Sequence, residues 1–300
     1  MALDTEYQQV LTQEEILWFQ KARLDWILKG ERNTNFFHLT TMLSTDYDRF
    51  MPRLNEDEKT ELSNHATMEE VREALFSMKG LKASGPNGIQ PIFYKQNWDT
   101  VKNTIRDFVN TTMDLGRMYT KILKTFLVLI PKNAAANNIT QFRPISLLIT
   151  SYKIFSNIIV HRLRPLLQRL IDPYQNIFLK GRSIADNILI VQEAVQSMMN
   201  LKGRNGAVIA KIDLQKAYDN VRWEFLKKTL QDFNFPEKLI KIIMFCIMSS
   251  IIELLWNGEI IESLNPKQGL RQGDSLSLYQ FILFMEKLSH MILEKEERAL

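Results

Sequence analysis

Hydrophobic residues recur at helical spacing along most of the chain. The sequence Thr67-Met-Glu-Glu70 is a capping box, Val71, Leu75 and Met78 follow it on one helical face, and Gly80 ends the pattern. The same reasoning predicts longer helices at about 150–171, 184–201, 221–233, 237–248 and 279–297. The chain is therefore predicted to be rich in helix.

Three shorter apolar runs predict strands. Residues 125–130 form a run that Pro131 ends, and residues 207–213 (AVIAKID) end in the carboxylate Asp213. Both runs are predicted to be buried strands. Residues 251–261 contain Asn257-Gly258 between apolar positions, which is a strong hairpin signal. Many helices with a few strands indicate the α+β class.

The pattern also suggests two regions. The first 50 residues read as helical, with a capping box at Thr12-Gln-Glu-Glu15 and a helix end at Gly30. Residues 46–66 are polar and acidic, and are predicted to link two parts of the chain. We therefore expect an N-terminal helical region at 1–66 and a main domain at 67–300.

Composition excludes several classes of protein. The 300 residues are 45% hydrophobic and 24% charged, unlike a disordered or collagen-like chain. One cysteine, Cys246, excludes a disulfide framework and is predicted to lie in the core. The apolar stretch at 242–252 is shorter than the ~20 residues that span a bilayer. The start of the chain lacks the apolar core of a signal peptide, so we expect an intracellular protein without membrane contact.

Charge is distributed unevenly. The net charge is only +4, yet the stretch 117–171 contains nine Lys and Arg residues and no Asp or Glu. A long segment of one sign indicates an anionic partner, and nucleic acid is the commonest. A solvated helix face remains the alternative.

Three local patterns could carry chemistry. Asp213, at the end of a predicted strand, could bind Mg²⁺ or could simply cap a helix. In the segment 268–274 (QGLRQGD), Arg271 and Gln272 could hold a nucleotide or template base, or the segment could be a helix entry capped by Asp274. Lys132 and Arg143 could grip phosphates or could be ordinary exposed cations.

Six sequence blocks, taken in order, resemble the reverse transcriptase of a plant non-LTR (LINE-type) retrotransposon. The blocks are KARLDW (21–26) with GERNTNFFH (30–38), SGPNGI (84–89), LIPK (129–132) with FRPISL (142–147), QNIFLKGRSIADN (175–187), DLQKAYD (213–219) and GLRQGD (269–274). Because all six occur in one order across nearly the whole chain, the resemblance is specific.

The resemblance implies an α+β right-hand polymerase with helix-rich fingers and a partial palm. It also implies an RNA template, a DNA primer, deoxynucleotides and Mg²⁺. By analogy, Asp213 binds the metal ions and Tyr218 senses the sugar. The other implied nucleotide-binding residues are Lys132, Arg143, Leu214 (through its carbonyl), Gln272 and Gly273. The implied contacts to nucleic acid are Gly181, Arg182, Ser183 and Arg271.

One departure from the family limits the expected activity. The family's second metal-binding block, Tyr/Phe-Ala-Asp-Asp, does not occur between Asp274 and Leu300, and the thumb is expected further downstream. We therefore expect a truncated chain that is inactive alone, because one aspartate cannot hold two ions. A binding module that reuses the fingers is the alternative. The life cycle of such elements implies a nuclear location.

Overall fold

The computed structural model describes residues 51–300, apart from 177, 180, 201–207, 210 and 298–300. The N-terminal helical prediction, with its Thr12 capping box, lies outside these residues. Residues from Pro52 onward belong to one compact unit. None of the described helices is both long enough and apolar enough to cross a bilayer.

The described residues combine helices with one sheet, so the α+β class is confirmed. The helices are α1 (Glu56–Ser63), α2 (Met68–Phe76), α3 (Pro91–Gln96), α4 (Trp98–Leu115), α5 (Thr150–Leu170), α6 (Ile184–Met199), α7 (Trp223–Asp232), α8 (Glu237–Met248) and α9 (Ser275–Glu297). The strands are β1 (Thr125–Pro131), β2 (Phe142–Leu148), β3 (Ile252–Trp256) and β4 (Glu259–Leu264). The predicted helices are confirmed within two residues at most ends, but α9 begins four residues early.

The four strands form one sheet in the order β2-β1-β3-β4. Strands β1 and β2 pair antiparallel, with Thr125 opposite Leu148, and β1 and β3 pair parallel. The predicted hairpin is confirmed as β3–β4, whose turn places both Asn257 and Gly258 at positive φ. Asn-Gly tolerates this backbone conformation, which is why the sequence signal was reliable.

Helix α5 lies at the centre of the fold. Its residues Ile154, Phe155, Ile159 and Leu163 are almost completely buried, and it packs against α1, α2 and α9. A helix that is apolar on most faces must be covered on several sides. Helix α5 therefore orders the elements around it.

The structure corrects the linker prediction for residues 52–66, the part of 46–66 that belongs to the main unit. Residues from Pro52 onward pack with the main unit: the Leu54 N–H donates to the Phe233 carbonyl, and α1 carries its own capping box. Arg162 of α5 donates to the Asn64 carbonyl and to Glu70. The acidic residues of this segment lie mainly on its exposed face, while Leu54 and Leu62 are buried. The boundary expected at 66/67 therefore does not separate α1 from the main unit.

The predicted strand at 207–213 is wrong for the residues described there. Residues 208, 209 and 211–213 have no strand structure, and the side chains of Val208 and Ile212 are 92% and 75% exposed. A strand exists only when a neighbouring strand accepts its hydrogen bonds, and an apolar run does not specify that neighbour. Asp213 therefore does not stand at the end of a strand in this structure.

Loop 82–88 reaches the body of the molecule through Gly85. A Cβ atom on Gly85 would lie 2.5 Å from the Ile149 nitrogen and 2.5 Å from the Leu148 carbonyl carbon. Both are backbone atoms at the junction between β2 and α5, so they cannot rotate away. Only glycine allows this approach.

We expect Gly85→Ala to destabilise the chain by about 3 kcal/mol or more, because overpacking against backbone cannot be relieved by a rotamer change. Gly88→Ala is the matched control, since Gly88 has a positive φ but open space around it. Urea unfolding would measure both variants. Equal losses for the two would contradict the packing argument.

Candidate nucleotide-binding site

A cavity of about 550 Å³ lies where β1 and β2 meet the loop before α9. Its polar lining residues are Lys132, Arg143, Lys216, Asp219 and Gln272, together with Thr140. Three predicted nucleotide-binding residues, Lys132, Arg143 and Gln272, are thus brought together from distant parts of the chain. The remaining wall is apolar: Leu129, Ile139, Phe142 and Pro144.

The strand pair positions the two predicted phosphate-binding residues. Arg143 lies in β2 opposite Ile130 of β1, and Lys132 follows the end of β1. The Lys132 N–H donates to the Gln141 carbonyl, and its ammonium donates to the Thr140 carbonyl at 2.8 Å. An antiparallel pair therefore fixes both cations at the same end of the sheet.

The glycine loop 269–273 packs against backbone on two sides. A Cβ on Gly273 would lie 2.9 Å from the Ser146 carbonyl oxygen, and a Cβ on Gly269 would lie 2.9 Å from that of Asp219. The Ser146 N–H also donates to the Gln272 carbonyl at 2.7 Å. Gly273 was expected to leave room for a nucleotide. In the structure its missing side chain lets the loop dock on β2.

Arg271 is buried, which does not support its expected contact with nucleic acid. Its guanidinium pairs with Asp274 at 3.0 Å, donates to the Tyr152 hydroxyl at 2.6 Å and lies 4.6 Å from the centre of that ring. Its side chain is 7% exposed and that of Asp274 is 2% exposed. Arg271 therefore holds the loop to α5.

Asp274 caps α9, as the alternative interpretation of the segment 268–274 predicted. Its Oδ1 accepts from the Leu276 N–H at 3.0 Å, and its Oδ2 accepts from the Tyr152 hydroxyl at 2.6 Å. The cap explains why α9 begins before the predicted position. Burial raises the pKa of Tyr152 well above its usual value, with a smaller contribution from the Asp274 charge.

The predicted core position of Cys246 is confirmed. Cys246 is 1% exposed, and burial raises the pKa of its thiol to about 12. A thiol that stays protonated is a poor nucleophile, so Cys246 serves packing.

The motif 181–183 has structural roles in the described residues. Both terminal nitrogens of Arg182 donate to backbone carbonyls near the end of α5, including those of Ile171 and Gln175. The Ser183 hydroxyl accepts from the Ala185 N–H and caps α6. Gly181 has a φ of 87°, a conformation that favours glycine. These contacts close α5 and start α6, and nucleic-acid contact by these residues stays a prediction.

The remaining predicted residues do not line the cavity. The Tyr218 ring stacks on Phe281, with centroids 4.5 Å apart, and burial raises its pKa. Asp213 and Leu214 are exposed. Their roles with metal and nucleotide stay predictions.

The described residues also bear on the predicted metal site. These residues contain no group of three or more His, Cys, Asp or Glu that could hold a metal ion. A metal site at Asp213 therefore stays a prediction, and we assign no reaction step to a metal.

Two cavity residues were missed by sequence reasoning. Lys216 and Asp219 line the cavity beside Gln272. Both belong to the block 213–219, in which Lys216 has a positive φ and its carbonyl accepts from the Asp219 N–H. That turn brings them to the same cavity. The signal available in the sequence was the presence of these two charged residues in the block 213–219.

We expect Asp274→Ala to destabilise the chain by about 3–5 kcal/mol, because it leaves the Arg271 charge buried and unpaired. Asp99→Ala is the control, since Asp99 pairs with Lys102 at the surface and should cost little. Urea unfolding with circular dichroism would measure both. A loss no larger than that of the control would mean that the buried pair is not a major constraint.

A second prediction concerns pH. Lys153 of α5 is 8% exposed and donates to the Ala83 carbonyl at 3.1 Å, and burial, helped by the Lys82 charge, lowers its pKa to about 8. The unfolded chain has a lysine pKa near 10.4, so between these values it binds more protons than the folded chain. Lys153 should therefore make stability rise with pH across that window.

The test compares urea midpoints of the natural chain and Lys153→Met at pH 7.5 and 9.5. Relative to the variant, the natural chain should gain stability at the higher pH. Subtracting the change in midpoint measured for the variant removes the contributions of Tyr152 and Cys246. Their raised pKa values make stability fall as the pH rises, which is opposite to the effect of Lys153. An equal change in both proteins would contradict the assignment.

Most residues of this cavity lie in a segment of the chain that matches a known family. A model of the reverse transcriptase (RNA-dependent DNA polymerase) family matches residues 130–299, which include most of the cavity residues. The chain is 28% identical over 240 residues to the transposon TX1 uncharacterized 149 kDa protein of Xenopus laevis, covering 79% of this chain and 18% of that protein.

Two further relatives are retrovirus-related Pol polyproteins. That of the type-1 retrotransposable element R2 of Nasonia vitripennis is 26% identical over 209 residues, covering 68% of this chain and 19% of the relative. That of the type-2 element R2DM of Drosophila melanogaster is 27% identical over 222 residues, covering 74% and 20%. The chain thus spans about a fifth of the length of these relatives. The family match extends over more than half of the residues, and the chain belongs to the reverse transcriptase family.

Proposed function

We propose that the cavity between β1, β2 and the glycine loop binds the triphosphate of an incoming deoxynucleotide. The observation that carries this proposal is the meeting of Lys132, Arg143 and Gln272 in one cavity, although the chain separates them by up to 140 positions. Lys132 supplies a point charge, and Arg143 offers a planar fork that matches two phosphate oxygens.

The charges of the cavity favour a polyphosphate. The cavity lining contains three cationic side chains, those of Lys132, Arg143 and Lys216, and one carboxylate, that of Asp219. Among the described residues, the side chains of Arg143 and Lys216 have no hydrogen-bond or ion-pair partner, so they remain available to a ligand. The apolar wall formed by Phe142 and Pro144 suits the flat face of a sugar or base.

We further propose that this chain contributes nucleotide binding to RNA-directed DNA synthesis in a plant non-LTR retrotransposon. The support is the ordered set of motifs together with the family match at 130–299. In this proposal, RNA is the template and DNA the primer. The family uses divalent ions such as Mg²⁺, and Asp213 is the proposed metal ligand.

Synthesis by this chain alone is not part of the proposal. Asp213 lies outside the cavity, and the sequence from Asp274 to Leu300 contains no Tyr/Phe-Ala-Asp-Asp block. In-line displacement at a phosphate needs carboxylates that hold the ions on both the attacking and the leaving oxygen. We propose that a second carboxylate pair must be added before the chain can extend a primer.

Nucleotide binding is the first test. The natural chain should bind a fluorescent deoxyadenosine triphosphate analogue with Mg²⁺ present, and the pair Lys132→Ala with Arg143→Ala should weaken binding at least tenfold. A hydrogen bond between a cationic side chain and a phosphate oxygen contributes about 1.5–3 kcal/mol to the free energy of binding. Fluorescence anisotropy would measure it. The pair Arg117→Ala with Lys121→Ala removes the same charge at exposed positions outside the cavity and should change little.

Primer extension is the second test, with a DNA primer annealed to an RNA template, deoxynucleotides and Mg²⁺ or Mn²⁺. We expect that the folded chain binds nucleotide but does not extend the primer. An active reverse transcriptase is the positive control and should extend the same primer. Extension that is lost in Asp213→Ala would show a complete site and would overturn the proposed incompleteness. Salt-dependent RNA binding with no affinity for nucleotide would instead favour a binding module.

A further inference from the structure

A second cavity, of about 530 Å³, lies between the loop after α5 and one face of α9. Its lining includes α9 residues between Phe281 and Ile292, and on the other side Asp172, Tyr174, Gln175, Asn176, Phe178 and Asn187. It shares no lining residue with the nucleotide cavity. The proposed function therefore makes no use of it.

The distinctive group of this cavity is Glu286. It is 2% exposed, and its Oε1 accepts from the Asp172 N–H at 3.0 Å and lies 3.3 Å from His290 Nε2. Its Oε2 is buried and has no hydrogen-bond partner among the described residues. A buried carboxylate oxygen without a donor costs free energy, and Glu286 belongs to the lining of this cavity.

The rest of the lining restricts the type of donor. Much of the wall is apolar, because it is formed by Phe178, Phe281, Met285 and Ile292. A second carboxylate, that of Asp172, lies in the lining together with Glu286. No Lys or Arg belongs to the lining among the described residues. Lys287, the next residue of α9, pairs with Asp232 and is not in the lining. Phosphates and other anions are therefore disfavoured, and a cation with an apolar body is favoured.

We propose that this cavity binds a guanidinium or amidinium cation carried on a flat apolar group. Such a cation is planar and presents N–H donors toward a carboxylate, and Glu286 has one oxygen that no described residue donates to. The aromatic walls cover the apolar body, and they also attract a cation over the ring face. A small aromatic amidine and an arginine side chain of a protein partner share this chemistry.

Benzamidine is the probe for the test, titrated into the full chain and followed by saturation-transfer NMR. The natural chain should bind benzamidine and should bind neutral benzamide at least tenfold more weakly. Glu286→Gln keeps an acceptor for the Asp172 N–H but removes the charge, and should weaken benzamidine at least tenfold. Glu294→Gln makes the same change at an exposed position of α9 and should leave binding unchanged.

A second variant covers the case in which Glu286→Gln does not fold. Ser289 is an exposed residue of the lining, so Ser289→Phe should fill the cavity without touching the buried carboxylate, and should abolish binding. No binding of benzamidine to folded natural chain, or equal binding by the Ser289→Phe variant, would overturn the proposal.

Two short peptides distinguish the sources of the cation. Acetyl-Phe-Arg-amide should compete with benzamidine if the site takes an arginine from a partner, and acetyl-Phe-Lys-amide should compete less well. Competition by benzamidine-like molecules alone would identify a small-molecule site. The assay needs no nucleotide, so its result is independent of whether the first cavity binds triphosphates.

Discussion

The buried contact among Arg271, Asp274 and Tyr152 is the constraint on which the rest of the site depends. A guanidinium and a carboxylate are both removed from water here, and their mutual attraction offsets part of the cost of burying each charge. Tyr152 belongs to α5, whereas Arg271 and Asp274 belong to the entry of α9. One polar contact therefore ties the central helix to the glycine loop, and the loop in turn carries Gln272.

From this anchor the loop reaches two segments that carry residues of the proposed nucleotide cavity. Gly273 meets the backbone of β2 at Ser146, and Gly269 meets the backbone at Asp219. Any side chain at either glycine would push these segments apart. These backbone contacts join the segments on which Arg143, Asp219 and Gln272 lie.

The sequence predicted elements well where the signal was local. The Asn257-Gly258 turn, the Thr67 capping box and the apolar periodicity of α5 each depend on residues within a few positions, and each is confirmed. The strand at 207–213 failed because strand formation depends on a distant partner. Leu54 and Leu62 were overlooked among acidic neighbours, although their burial attaches α1 to the main unit.

For the site, the motifs in the sequence were enough to identify the family and the types of chemical group. Lys132, Arg143 and Gln272 were predicted as nucleotide ligands, and they do share a cavity. Which polar residues remain available to a ligand depends on contacts that form only in the folded chain. Arg271 and Arg182 resemble ligands in sequence but donate to groups inside the protein. Whether a buried charge finds its partner within the chain is a long-range property, and local sequence does not encode it. Local sequence likewise did not indicate that one carboxylate oxygen of Glu286 is buried without a donor among the described residues.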